Sequence, residues 1–222
     1  MVTILLLPLL TAYLSPAEYG IFAMLMLLSM FAQSVFGLGM SAAMGPAYFR
    51  ASSDSEKSQV VWTSCALLVL SSTVLVAFAW AVPDVLLNLA FLPDNLDFLA
   101  ALVLTATACL IISSCLAQRM QFEKQAFRFI SISLVTSVVT ASVSVLSVVL
   151  WGWVVKGRIA SQLVGNAVSL VLYLAFTIWE TRISLSLDVG KEVLKIGVPL
   201  IPSFAFLFIL MNAGRYFLQT IE

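Results

Sequence analysis

The stretch VVWTSCALLVLSSTVLVAFAWAV, residues 60–82, contains no charged residue. About 20 apolar residues are enough to cross the roughly 30 Å of hydrocarbon in a bilayer, so this stretch predicts a transmembrane helix. The chain is predicted to cross the membrane several times, because comparable runs recur on both sides of it. They occupy residues 19–49, 98–117, 129–155, 159–179 and 196–214, and an apolar stub precedes them at residues 1–14.

The composition of the whole chain also indicates a membrane protein. Of its 222 residues, 62% are hydrophobic and only 10% are charged, and the mean hydropathy is +1.09. A water-soluble domain of this size needs more charged residues to cover its surface. We therefore expect an all-α fold, a polytopic membrane helix bundle of about seven helices in which the first is truncated.

Several classes of function are disfavoured by the residue inventory. Lys plus Arg and Asp plus Glu are balanced at 11 each, so no basic surface predicts a nucleic-acid partner. Histidine is absent, which removes His-based catalysis and the usual zinc sites. Cys65, Cys109 and Cys115 lie in apolar runs without C-x-x-C spacing and are interpreted as small buried hydrophobes. We expect no metal and no cofactor.

The distribution of basic residues predicts the orientation. If the helices alternate in direction, the segments after the second, fourth and sixth helices share one side of the membrane. The opposite segments hold only Lys156 and Arg158, so the positive-inside rule places the amino terminus and the basic segments in the cytoplasm. The basic segments hold eight residues, Arg50, Lys57, Arg119, Lys124, Arg128, Arg182, Lys191 and Lys195.

The segment LSPAEYGIF, residues 14–22, has the pattern of a capped helix start. Ser15 is the predicted N-cap, Pro16 the first helical residue and Glu18 the capping-box partner. The segment is interpreted as the turn between two spans, with a functional Glu18 as the alternative.

Four segments resemble bacterial polysaccharide biosynthesis proteins, the oligosaccharide (O-antigen) flippases of the multidrug/oligosaccharidyl-lipid/polysaccharide exporter superfamily. PLLTAYLSPAEYGIF, residues 8–22, and FGLGMSAAM, residues 36–44, are similar to the family's amino-terminal signature. LKIGVPLIPSFAFLFILMNAGRYFLQ, residues 194–219, resembles the start of its seventh helix. AQRMQFEKQAFRFISI, residues 117–132, resembles its basic loop between helices four and five. The four segments follow the family's order along nearly the whole chain.

The resemblance implies two six-helix lobes around a central cavity. Residues 1–190 would form the amino-terminal lobe, with a partial first helix, and residues 191–222 would begin the second lobe. The sequence is therefore interpreted as a fragment. The implied cargo is an undecaprenyl-pyrophosphate-linked oligosaccharide, moved by alternating access across the bacterial inner membrane. The implied partners are the lipid bilayer, a polysaccharide polymerase and assembly proteins, and no enzymatic step is expected.

Arg215 is the leading candidate for contact with such a cargo. An arginine fork pairs well with pyrophosphate oxygens, and an ionisable residue inside a span is a functional hypothesis. The alternative is an interfacial anchor. Asn212 lies three residues earlier on the same helix face and could share the polar patch. The family often has an acidic residue before this arginine, but Gly214 stands there, which puts a local ion pair in doubt.

Three further polar residues are candidates for cargo binding. Arg50 could receive the pyrophosphate at the cavity mouth, or it could only set the topology. The same two interpretations apply to Arg119, next to Gln118. Gln33 is the most central amide of the second helix and either lines the cavity or bonds to another helix.

Hinges are predicted where glycine or proline interrupts the second and seventh helices. Interrupted helices in transporters often bend between states, and close helix packing is the alternative. The hinge candidates are Gly37, Gly39, Pro46, Pro199 and Pro202.

The Ser- and Thr-rich fifth run, residues 129–155, has two interpretations. Small hydroxyl side chains permit close helix packing, and they could alternatively form a wall that binds sugars.

Three rival functions remain open. A drug or cation antiporter of the same superfamily would be expected to have carboxylates within its spans, but the acidic residues here lie in loops or near run ends. A membrane enzyme of polysaccharide assembly would be expected to have a large catalytic loop. A non-functional truncated paralogue is the third possibility.

Overall fold

The computed structural model describes residues 16–81, 96–151, 154–204 and 206, and this part of the chain is almost entirely α-helical. The predicted all-α polytopic helix bundle is confirmed. Five helical segments in this part are long and apolar enough to cross a membrane. The α-helices are α1 (Pro16–Phe36), α2 (Met40–Arg50), α3 (Asp54–Ala81), α4 (Asp97–Phe122), α5 (Ala126–Trp151), α6 (Val154–Glu180) and α7 (Leu187–Gly197).

The helices extend beyond the apolar runs because charged residues at their ends are capped or paired. The apolar run of α3 starts at residue 60, but the helix starts at Asp54. The Ser53 Oγ accepts the Glu56 N–H at 3.2 Å, and the Glu56 carboxylate accepts the Ser52 N–H at 2.7 Å. This reciprocal capping satisfies donors at the helix start and allows α3 to begin six residues early.

The connections α2–α3, α4–α5 and α6–α7 lie at one end of the bundle, called here the charged end and marked by Arg119, Glu123 and Glu180. Arg119 of α4 contacts Glu180 of α6 there, and Ser58 of α3 donates to the Arg182 carbonyl. The described helices therefore alternate in direction, which the positive-inside argument assumed. The opposite end, where α4 begins at Asp97 and α6 begins at Val154, is called the far end.

Helix α4 is the centre of the bundle and packs against α1, α3 and α6. Polar side chains join α4 to two of these neighbours. The Ser29 hydroxyl of α1 lies 2.8 Å from the Thr107 hydroxyl, and the Asn166 amide of α6 donates to the Ala106 carbonyl at 2.8 Å. In hydrocarbon, such pairs remove the cost of unsatisfied polar groups.

Helices α5 and α6 pack through small residues. A methyl group on Gly157 would overlap Ser147, and one on Gly165 would overlap Thr140. The hydroxyls of these α5 residues donate to carbonyls of their own helix, Ser147 to Val143 and Thr140 to Thr136. At these two positions, the hydroxyl-rich helix serves close packing.

The long uncharged run at residues 19–49 forms two helices. Helix α1 begins at Pro16, as predicted, whereas Ser15 lies outside the described residues. The helix breaks at residues 37–39, where Leu38 and Gly39 adopt left-handed φ values of 51° and 61°. Pro46 does not interrupt the helix, because α2 continues through it. The predicted weak point therefore lies at Gly37 and Gly39.

Helix α7 corrects the sequence-based boundary of the seventh helix. The apolar run was predicted to begin at residue 196 and the resemblance to the seventh helix at residue 194, but the helix begins at Leu187. One face is buried at Gly190, Val193 and Gly197, so amphipathic packing against α2 and α3 stabilises it. The predicted division between residues 190 and 191 falls inside this helix and stays a prediction.

Candidate functional site

The break between α1 and α2 lies against the end of α7. A methyl group added to Gly39 would overlap the Gly197 carbonyl oxygen, and one added to Gly197 would overlap the Leu38 carbonyl oxygen. The Ser71 hydroxyl of α3 also donates to the Phe36 carbonyl at the end of α1, at 2.8 Å. Only glycine permits this approach of two main chains. The predicted hinge at Gly39 and the segment that leads to Pro199 are therefore in direct contact.

A small polar cavity of about 70 Å³, called here the polar groove, opens beside this break. Its polar lining comes from three helices: Gln33 of α1, Ser41 of α2, and Ser114 and Gln118 of α4. Gln33, Ser41 and Ser114 are exposed, and Gln118 is half-buried. The Gln118 amide nitrogen lies 3.5 Å from the Ser41 carbonyl, at the limit of a hydrogen bond. The Gln118 Oε1 is buried and has no partner within the described residues.

The groove lies near the middle of the bundle. It is also lined by Leu68, 14 residues from the start of α3, and by Ile111, 11 residues before the end of α4. At 1.5 Å per residue, these positions are about 21 Å and about 16 Å from the charged end. Since the hydrocarbon core is about 30 Å thick, the groove lies within it.

The charged end holds an ion-pair network around Arg119, whose side chain is only 3% exposed. Its Nε and Nη2 donate to Glu123 at 2.8 and 2.9 Å, and its Nη2 also donates to Glu180 at 2.8 Å. Arg128 of α5 pairs with the other oxygen of Glu180. The Tyr48 hydroxyl of α2 donates to Glu123 at 3.1 Å. The network joins α2, α4, α5 and α6, and two carboxylates neutralise its two cations.

A larger cavity of about 550 Å³ lies beside this network. Its ionisable lining is balanced in charge, so the cavity carries no excess of cations that would favour an anion. Three basic residues, Lys57, Arg119 and Arg182, face three acidic residues, Asp54, Glu123 and Glu180, with Tyr48 beside them.

Comparison with known protein families shows which family the chain belongs to. A family model described as polysaccharide biosynthesis protein matches residues 9–218, which is nearly the whole chain. The chain belongs to this family. No curated protein and no solved structure matches it. With the five membrane-length helices, this family membership identifies a multi-pass membrane protein with a role in polysaccharide biosynthesis.

In this polysaccharide biosynthesis protein, the predicted site residues fall into three groups. Gln33 lies in the polar groove. Arg50 is 70% exposed and pairs with Glu192 of α7 at 3.1 Å. Arg119 adjoins Gln118 in sequence but points about 100° away around α4. Its guanidinium lies in the ion-pair network of the charged end and already has Glu123 and Glu180 as partners. Arg215 and Asn212 lie outside the described residues, and their roles stay predictions.

The hinge candidates of the seventh helix, Pro199 and Pro202, are both exposed. Pro199 lies in a 3-10 turn, Val198–Leu200, and helical structure continues at Ile201. The irregular turn begins directly after Gly197, so it adjoins the main-chain contact with Gly39.

Sequence reasoning missed Lys195 as a candidate. The exposed face of α7 carries Asp188, Lys191, Glu192 and Lys195, at the i, i+3, i+4, i+7 spacing of an amphipathic helix. This spacing was visible in the sequence. Within the described part of the chain, Lys195 alone among these four takes part in no ion pair. Lys195 lies two residues before the Gly197 contact and three residues after Glu192, the partner of Arg50.

Proposed function

We propose that this protein takes part in moving a lipid-linked oligosaccharide across the inner membrane by alternating access. The family supplies the polysaccharide context. Flipping forms and breaks no covalent bond, so the proposal assigns a transport role and no catalytic residue.

The polar groove is the observation that carries the proposal. Exposed amide and hydroxyl groups at mid-membrane depth are unfavourable against lipid tails, which offer no hydrogen bonds. Gln33 and Ser41 therefore require water or a polar solute, whereas the Ser114 hydroxyl already donates to the Ile111 carbonyl at 2.7 Å. Neutral amides and hydroxyls both donate and accept, as sugar hydroxyls do, so the groove suits a glycan better than a free cation.

The helix break beside the groove supports a transporter that changes conformation. Bending at residues 37–39 would move α2 while the uninterrupted helices α3 and α4 stay straight. Helix α7 packs against α2 at Gly39 and is tied to α3 by the Ser186 N–H, which donates to the Thr63 hydroxyl at 3.1 Å. Bending at residues 37–39 would therefore move α2 past the end of α7.

The charge distribution supports a cytoplasmic charged end. The positive-inside rule favours the side with eight basic residues over the side with two. Lys195, on the exposed face of α7, would then offer a cation to the pyrophosphate of the cargo. The lipid tail would stay in the bilayer, where it needs no polar partner.

Complementation in a strain deleted for this gene tests the proposal. Gln33→Leu and Gln118→Leu should reduce surface polysaccharide and accumulate lipid-linked oligosaccharide in the inner leaflet. Gln121→Leu is the matched control, since Gln121 is an exposed amide on α4 outside the groove. Normal export by both groove variants would contradict the proposal. Drug or cation efflux without a change in surface glycan would favour the antiporter.

The same assay tests the predicted role of Arg215. The variant Arg215→Ala should lose export if the guanidinium binds the pyrophosphate. Normal export would leave Arg215 as an interfacial anchor.

A further inference from the structure

Helices α4 and α6 are parallel neighbours whose register is known at two levels. The Asn166 amide bonds to the Ala106 carbonyl, and Glu180 pairs with Arg119. A residue of α4 is therefore level with the residue 60 or 61 positions later in α6. By this register, Asp97 and Phe98 at the start of α4 lie level with Arg158.

Asp97 and Arg158 each hold a buried polar atom without a partner. Among the described residues, neither the Asp97 Oδ1 nor the Arg158 Nη1 has a hydrogen bond, although both atoms are shielded from solvent. Arg158 lies inside the candidate span Val155–Glu180. Charged groups at such positions are costly unless they are paired.

The two residues carry opposite charges on the helices that already form an ion pair at the charged end. There, α4 supplies the arginine and α6 the glutamate. At the far end the polarity is reversed, with the aspartate on α4 and the arginine on α6. The side of α4 that bears Asp97 lies within about 40° of the side that bears Arg119, which faces α6.

We propose that Asp97 and Arg158 form a reversible ion pair, the far-end clasp, that joins α4 to α6 at the far end of the bundle. The clasp is open in the conformation described here, since no ion pair joins the two residues. Because the two residues lie at the same level on helices that pack together, closure of the clasp requires the long arginine side chain to change rotamer.

A double-mutant cycle on the purified full chain tests the clasp. The closed clasp pairs two charges that are otherwise buried without partners, so it should predominate in the purified protein. Asp97→Asn and Arg158→Gln should then each lower the melting temperature by roughly 2–6 °C. The melting temperature of the double variant should be no lower than that of the less stable single variant. The swap Asp97→Arg with Arg158→Asp should recover part of the lost stability. The cycle subtracts any effect of Asp97 on the α4 dipole. Lys156→Gln is the control, because Lys156 is an exposed cation two residues away. Additive losses without recovery in the swap would overturn the clasp.

Cysteine cross-linking in native membranes keeps the test decisive if the charge variants fail to fold. Asp97→Cys with Arg158→Cys should cross-link with a short bifunctional thiol reagent. Asp97→Cys with Lys156→Cys should cross-link less, and each single variant measures the background from the three native cysteines. Cross-linking of the 97–158 pair no greater than this background would refute the clasp.

Discussion

Replacing Arg119 by methionine is expected to destabilise the charged end by about 3 kcal/mol. The substitution removes three charge-assisted hydrogen bonds from a side chain that is 3% exposed. Removal of one partner of a buried ion pair costs about 3–5 kcal/mol. The lower value applies because Glu123 and Glu180 are 25% and 21% exposed and keep Tyr48 and Arg128 as partners. For a chain of this length, the melting temperature should fall by about 6–12 °C.

The measurement is thermal unfolding of the purified protein in detergent, with Lys124→Met as the control. Lys124 is an exposed cation in the adjacent turn and has no ion pair within the described residues. The triple variant Arg119→Met, Glu123→Gln, Glu180→Gln should recover most of the stability, because it removes the charges together. A loss at Arg119 no larger than that at Lys124 would refute the reasoning. A stable triple variant that fails to export would assign a role in export to the charges of this network.

Three further variants probe helix packing. Gly197→Ala should destabilise the protein by about 1–3 kcal/mol, because its methyl group overlaps the Leu38 carbonyl; an unchanged melting temperature would contradict the contact. Gly165→Ala should cost a similar amount through overlap with Thr140, and a second change, Thr140→Ala, should relieve it. Asn166→Ala should lower the free energy of unfolding by about 1 kcal/mol through the lost hydrogen bond to α4. A loss below roughly 0.2 kcal/mol in denaturant titrations would count against that bond.

The sequence was sufficient to predict the five spans that the structure describes, because crossing a bilayer imposes a length and an apolar composition that are visible locally. Most of the sixth predicted run, residues 196–214, lies outside the described residues. The sequence was insufficient at the helix ends. Arg119 was assigned to a loop, since its partner Glu180 lies 61 residues away and appears only when α4 and α6 pack together. The start of α7 at Leu187 was missed because the burial of this segment is one-sided and its overall composition is not apolar.

The candidate site was partly predictable for the same reason. Gln33 and the break at Gly39 are local features of one stretch, and both were identified. Ser114 and Gln118 join them only through the rotation of α4 about its axis, which a single sequence does not specify. Likewise, Gly197 became informative only when the fold placed it against Gly39.

Water access to the polar groove tests the central claim most directly. A cysteine at Gln33 can be compared with one at Val138, which is 56% exposed on α5 and lies at a similar depth, about 18 Å from the charged end. A membrane-impermeant, positively charged thiol reagent is applied to each variant, with the unmodified chain as the blank for the native cysteines. The account predicts rapid labelling at position 33 and none above the blank at position 138. Equal absence of labelling at both positions would contradict it.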